Sequence, residues 1–221
     1  ENALKDVSCI IHCAGKAHVM NKKDDTDSYR LINTEGTKFL AEQASKNGVK
    51  RLIFLSSIKV NGENSGKIYN DYKNNLFENN EKSNPQDFYA KSKLEAEKVL
   101  WEISLRTNLE VVVLRLPLVY GYGVKGNLLQ LIKLIKSGIP LPFGLIKNKR
   151  SLIGVDNLID LLICCIDHQN ASGKTFLVSD GEDLSTGDLT RYIATAMGKS
   201  ANIFPVPISI LKFASHFLGF Q

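Results

Sequence analysis

"VVVLRLPLVYGYGVKGNLLQLIKLIKSG", residues 111–138, passes from an apolar strand through a glycine-rich turn into a helix that stops at Gly138. A strand apolar at nearly every position is one covered on both faces, as in a parallel sheet. Gly121, Gly123 and Gly126 spell G-x-G-x-x-G, the spacing of a dinucleotide fingerprint. That fingerprint also requires an acidic residue about 20 positions further on to hold the ribose. No acid follows until Asp156. Pro117 sits in the strand end, where it removes a backbone donor. The turn therefore reads as the exit of the chain from the sheet into a second lobe. Its amides, the helix start at Asn127 and the nearby lysines remain suited to a phosphate group.

Outward from this stretch, strand-like and helix-like segments alternate, which predicts an α/β fold with a doubly wound parallel sheet. "VSCIIHCAG" is a buried strand ending at Gly15, and "DSYRLINTEGTKFLAEQASKNG" is a helix capped near Asp27 and stopped by Gly48. "KRLIFLSS" is the next strand. The polar stretch 59–86 reads as a long surface loop, and Asp87 caps "FYAKSKLEAEKVLWEISLRTN". After "RSLIGV", Asp156 caps "NLIDLLICCIDH"; "KTFLVSD" is a further strand, and Ser185 with Asp188 forms a capping box. Residues 1–120 with 151–180 are expected to form a partial dinucleotide-binding domain, and 121–150 with 181–221 a smaller substrate-binding lobe. The usual fold opens on a strand, a glycine-rich turn and a helix. Here the first strand reads as an interior one. Restoring two strand–helix units takes on the order of 60 residues, so the chain reads as a fragment. A complete product of this length would not bind a dinucleotide in the normal way.

Composition narrows the classes. The 221 residues are 43% hydrophobic, enough for one large domain or one domain with a small lobe. The apolar runs are interrupted well short of a bilayer's thickness, so no stable membrane insertion is expected; the segment "FPVPISILKFASHFLGFQ" reads as core. Cys9, Cys13, Cys164 and Cys165 show no disulfide framework and suit reduced thiols in a cytoplasm. His12, His18, His168 and His216 lack paired metal-ligand spacing, so no metal site is expected. The net charge is +5, and its distribution matters more than its size. Between Val111 and Val155 there is no acid, while Arg115, Lys125, Lys133, Lys136, Lys147, Lys149 and Arg150 are all present. Such a segment is either a solvated basic face or an anion site, with a diphosphate the natural ligand. Few aromatics interleave the basic residues, which argues against nucleic acid.

The chemistry-bearing residues lie upstream. "FLSS" ends a buried strand at Ser56 and Ser57, and "YAKSK" places Tyr89 and Lys93 at i and i+4 on one helix face. An ammonium beside a phenol favours the phenolate, lowering a pKa that is ordinarily about 10. A neighbouring serine can bond the reacting oxygen. Together these groups can remove a proton from an alcohol while a hydride leaves its carbon. Spacing alone is cheap, since "YNDYK" repeats it at Tyr69 and Lys73 inside the polar loop.

The order of "HCAG", "RLINTEGT", "FLSS", "YAKSK", "LRLPLVYG" and "RSLIGVDNL" resembles the extended short-chain dehydrogenase/reductase family, in its branch of NAD-dependent nucleotide-sugar epimerases and 4-keto-sugar reductases. The resemblance implies Tyr89 as general base, Lys93 as the ribose ligand that lowers the Tyr89 pKa, and Ser57 as the group orienting the sugar hydroxyl. It places Ala14, Gly15 and Lys16 along the cofactor, NAD or NADP, gives Asn33 a supporting role, and sets Pro117 and Leu118 beside the nicotinamide. It assigns the nucleotide diphosphate of a UDP-sugar to Asn127 and Arg150. Lys59 and Asn61, in "LSSIKVNG", resemble the branch that reduces 4-keto-6-deoxy amino sugars for surface polysaccharides. The helix pair bearing Asn33 and Tyr89 resembles one used for homodimers. The implied function is hydride transfer at C4 of a UDP-hexose; a non-catalytic nucleotide-binding module on the same scaffold is the alternative.

Overall fold

The computed structural model describes residues 2–16, 26–62 and 83–211. Tyr69, Lys73 and most of the expected polar loop lie outside the described residues, as does the end of the chain from position 212. The chain forms two compact units, Glu1–Pro117 with Asn157–Val178 and Leu118–Asp156 with Ser179–Gln221. Among the described residues no helix is long and apolar enough to cross a membrane.

The first unit is a four-stranded, all-parallel sheet of β1 (Cys9–His12), β2 (Arg51–Ser57), β3 (Glu110–Leu116) and β6 (Lys174–Leu177), in the order β1-β2-β3-β6. The central strands are apolar at nearly every position because both of their faces are covered. β3 is buried from Val111 to Leu116, and β2 everywhere except Leu55. β1 differs from its expected burial: it is an edge strand of this sheet, and Ile11 is 39% exposed. A helical run connects β1 to β2. It begins with α1 (Thr26–Tyr29), widens into a π-helical turn (Arg30–Glu35) and continues as α2 (Gly36–Lys46). Gly48 ends it with φ +74, a left-handed value, while Gly48 and Val49 donate back to the Ser45 and Ala44 carbonyls. α3 (Phe88–Arg106) links β2 to β3.

Ala41 and Ala44 of α2 and Ala96, Leu100 and Ile103 of α3 close over Leu52, Phe54, Val111 and Val113 on one face of the sheet. Alanines at these positions let the helices approach the strands while the larger side chains fill the space. Arg51 anchors the last helix of the unit. Its guanidinium pairs with Glu110 and donates to the carbonyls of Cys165, Ile166 and His168, at the end of α5 (Val155–Asp167). Asp156 was expected to cap that helix, but the helix starts one residue earlier and Asp156 stands in its first turn.

The second unit contains β4 (Leu118–Tyr120) and β5 (Leu152–Gly154), paired in parallel, with α4 (Gly126–Ser137) and α6 (Thr186–Ala196). Ile135, Leu141 and Ala194 form its buried cluster, with Leu131, Phe143 and Met197 against it. The three glycines after β4 are required by the backbone. Gly121, Gly123 and Gly126 all take positive φ, at +141, +76 and +67, and a Cβ on Gly121 would lie 2.5 Å from Val155 Cγ1. Strand geometry and close packing thus account for the G-x-G-x-x-G spacing without a nucleotide.

Candidate functional site

Ser57 ends β2, and its hydroxyl accepts from the Lys59 amide at 3.3 Å across a short 3-10 turn, Ile58–Val60. Register fixes its height: Ser57 pairs with Leu116 on β3. Opposite this strand end α3 begins. Asp87 caps it, with Oδ1 accepting from the Ala90 amide at 2.7 Å. Tyr89, Lys93 and Glu97 then recur at i+4 intervals along one face. Lys93 and Glu97 are buried, at 5% and 2% exposure, and Tyr89 is half-buried.

The Ser57 side chain acts on the Tyr89 phenol and favours its ionised form. Burial raises the phenol's pKa; the Ser57 hydroxyl and the charge of Lys59 oppose that rise, while Asp87 and Tyr29 add to it. Lys93 follows one turn further along the same helix. Its Nζ donates to the Leu55 carbonyl at 2.9 Å and lies 4.5 Å from the centre of the Phe54 ring. Burial lowers Lys93 to about 8, against the upward pull of Cys13 and Glu97. The Lys59 ammonium, one of the charges that act on the phenol, pairs with Asp87 Oδ2 at 2.8 Å.

Asn33 occupies the π-helical turn and is 1% exposed. Its Oδ1 accepts from the Lys16 amide at 2.7 Å, and its Nδ2 donates to the Lys16 carbonyl at 3.1 Å and to Ser92 Oγ at 2.9 Å. The side-chain amide thus pairs with a backbone peptide and ties the segment after β1 to α3. A wide turn is a common way to aim such a residue inward. Ala14 and Gly15 are exposed in that segment, and a Cβ on Gly15 would stand 3.1 Å from Asn33 Oδ1 and 3.2 Å from Lys93 Nζ. Lys16 Nζ bonds Ser28 Oγ at 2.5 Å and lies over the Tyr29 ring.

One functional layer escapes sequence inspection. Glu97 accepts from Ser56 Oγ at 2.5 Å and from Arg115 Nε and Nη2 at 3.1 and 2.7 Å. Arg115 also donates to Asn61 Oδ1 at 3.0 Å and to Ser83 Oγ at 3.3 Å. This buried network fixes the turn carrying Ser57 and Lys59 to the helix carrying Tyr89. The available signals were Glu97, one helical turn beyond Lys93, and an arginine in the middle of an apolar strand.

Pro117 ends the first unit, half-buried, and Leu118 opens the second, 37% exposed. In the second unit Asn127 is the exposed second residue of α4. Arg150 is exposed too, its backbone held by paired bonds with Leu184 at 2.9 and 3.0 Å.

A parallel sheet whose strand end sets a serine against a Tyr-x-x-x-Lys helix defines a class: a Rossmann-type α/β scaffold with the short-chain dehydrogenase/reductase constellation. The chain belongs to the NAD dependent epimerase/dehydratase family, whose model matches residues 1–179. It is 46% identical to the UDP-glucose 4-epimerase of Vibrio cholerae, over 99% of this chain and 66% of that protein. It is 28% identical to the N-acetyl-alpha-D-glucosaminyl-diphospho-ditrans,octacis-undecaprenol 4-epimerase of Escherichia coli O157:H7, over 84% of this chain and 55% of that one. The chain therefore spans between about half and two thirds of these relatives. In fold it is similar to the UDP-glucuronic acid 4-epimerase of Bacillus cereus in complex with NAD, with a TM-score of 0.77 at 23% identity, covering 93% of this chain and 64% of that one.

Proposed function

We propose that the protein is an NAD-dependent nucleotide-sugar epimerase acting at C4 of a UDP-hexose. The observation that carries this reading is the set of Ser57 at the end of β2 and Tyr89 in the first turn of α3, with Lys93 buried one helical turn further on. The names of the Vibrio cholerae and Escherichia coli relatives, both 4-epimerases, support the position on the sugar.

The residues after β1 fit a nicotinamide dinucleotide. Gly15 leaves room that a single methyl would fill against Asn33 and Lys93, so a flat or extended group can approach the backbone there. Lys93 commits one N–H to Leu55, and its remaining donors suit ribose hydroxyls. When bound, NAD supplies a hydride acceptor and donor. Everything else falls to the chain. Tyr89 takes the proton of the C4 hydroxyl and later returns it, Ser57 bonds the same oxygen in both states, and Asn33 holds Lys16 at its station. Ala14, Gly15, Lys16, Pro117 and Leu118 are the proposed cofactor contacts. Lys59 contacts the sugar, and Asn127 and Arg150 hold the diphosphate. The reading includes a cytoplasmic setting, a role in polysaccharide precursor synthesis and a homodimer. Exposed Leu31 and Phe39, beside the Asn33 turn, support the dimer.

Tyr89→Phe in the protein expressed from its complete gene is expected to abolish epimerisation of UDP-glucose while UDP-glucose binding persists. Unchanged turnover would remove Tyr89 from the mechanism. Arg150→Ala is expected to weaken UDP-sugar binding, and an unchanged affinity would sink that contact. Stoichiometric oxidation of NADH by a 4-keto sugar, without epimerisation, would instead assign a reductase.

A further inference from the structure

We propose that Ser92 is a positioning residue that joins residues 14–16, the proposed cofactor segment, to the turn of α3 carrying Tyr89. The link runs from the Lys16 peptide through the Asn33 side-chain amide and the Ser92 hydroxyl to the Tyr89 carbonyl. The inference rests on Tyr89 being the proton-transfer residue, and concerns what holds it in step with the cofactor.

Donors and acceptors along this chain match one for one. Asn33 Nδ2 has two protons, one donated to the Lys16 carbonyl at 3.1 Å and the other to Ser92 Oγ at 2.9 Å. Nδ2 can only donate, so Ser92 Oγ accepts there, and its own proton goes to the Tyr89 carbonyl at 2.8 Å. The neighbouring Thr34 donates to the Ser92 carbonyl at 3.0 Å, and more distantly to Glu95 Oε2 at 3.4 Å. The π-helical turn thus grips Ser92 by both its side chain and its backbone. The turn is itself held from β1. Thr37 donates its proton to the Asn33 carbonyl at 2.6 Å, which leaves His12 Nε2 as the donor to Thr37 Oγ1 at 2.9 Å.

A serine inside a helix often bonds back to its own turn, and that alone implies nothing. Three features set Ser92 apart. It stands three residues after Tyr89 and one before Lys93, so a bond here acts on the segment that carries both. Ser92, Asn33 and Thr34 are 3%, 1% and 5% exposed, so water has little access to replace a lost partner. The far end of the link is a peptide, that of Lys16, next to the open backbone of Gly15. A displacement of that segment is therefore passed to the Tyr89 turn through directional bonds.

The test uses the protein expressed from its complete gene, with Ser92→Ala, which removes the hydroxyl and suits a helix interior. Ser104→Ala is the control, since the Ser104 hydroxyl also bonds a carbonyl, that of Leu109 at 2.9 Å, near the other end of α3. Each variant loses one neutral hydrogen bond, so both are expected to lower the urea midpoint slightly. Only Ser92→Ala should lower kcat for UDP-glucose epimerisation, by about 10- to 100-fold with KM changed by less than about twofold, as a misplaced reacting group does. It should also speed hydrogen exchange of the Lys16 amide by at least about tenfold, while the Ile53 amide in β2 is unmoved. An unchanged kcat in Ser92→Ala, an equal loss in Ser104→Ala, a rise in KM alone, or unchanged Lys16 exchange would each overturn the proposal. If the unaltered protein does not epimerise UDP-glucose, the epimerase reading fails, and the exchange measurement still decides whether the link exists.

Discussion

Glu97→Gln should be among the most destabilising single substitutions in the first unit. The carboxylate is 2% exposed and accepts three bonds, one from Ser56 and two from Arg115. An amide keeps one acceptor oxygen and turns an N–H group toward a guanidinium, leaving a buried cation with Asn61 and Ser83 as its remaining partners. Breaking a buried ion pair from one side costs about 3–5 kcal/mol. With a urea dependence of about 2 kcal/mol per molar, the unfolding midpoint falls by roughly 1.5–2.5 M. Trp101, the single tryptophan, lies on α3 against the core of this unit, so its fluorescence reports the transition locally. The double variant Glu97→Met/Arg115→Met removes both charges and should be no less stable than Glu97→Gln. A drop of less than about 1 kcal/mol in the single variant would refute the reasoning, since that is the size of an ordinary neutral bond.

Gly121→Ala should cost more stability than Gly123→Ala, because both need positive φ but only Gly121 abuts Val155; equal urea midpoints would contradict this. Burial lowers His12 to about 4, while its unfolded form titrates near 6.5. The unfolded chain therefore binds the extra proton, and stability falls as pH drops from about 6.5 to 4. His12→Asn should flatten the urea midpoint across that window. Gly15→Ala should leave the fold intact but displace Lys93 Nζ, weakening NAD binding at least several-fold by calorimetry; unchanged affinity would mean that this approach is not used.

The sheet and the Ser57, Tyr89 and Lys93 positions were legible because each rests on local signals. Apolar runs mark parallel strands, Asp87 announces α3, and i+4 spacing puts Tyr89 and Lys93 on one face. What was illegible depends on contacts between distant segments. Arg115 looks like part of a basic anion site until Glu97, 18 residues away in sequence, is seen to neutralise it. The ammonium of Lys93 shares a helix face with Tyr89, but sharing a face does not decide which acceptor it meets; the Leu55 carbonyl across the strand does. The π-helical turn at Asn33 carries no sequence signature, since its hydrogen bonding is set by the demand for a partner at Lys16. The glycines after β4 misled in the opposite sense: their spacing is that of a nucleotide fingerprint, and their cause is backbone conformation.

The central claim is that a hydride leaves C4 and returns to it. Incubating the protein, expressed from its complete gene, with NAD and UDP-glucose deuterated at C4 tests this directly by mass and NMR analysis of the product. The account predicts the C4 epimer with its deuterium retained. Product carrying solvent hydrogen at C4, or no C4 epimer at all, would contradict it.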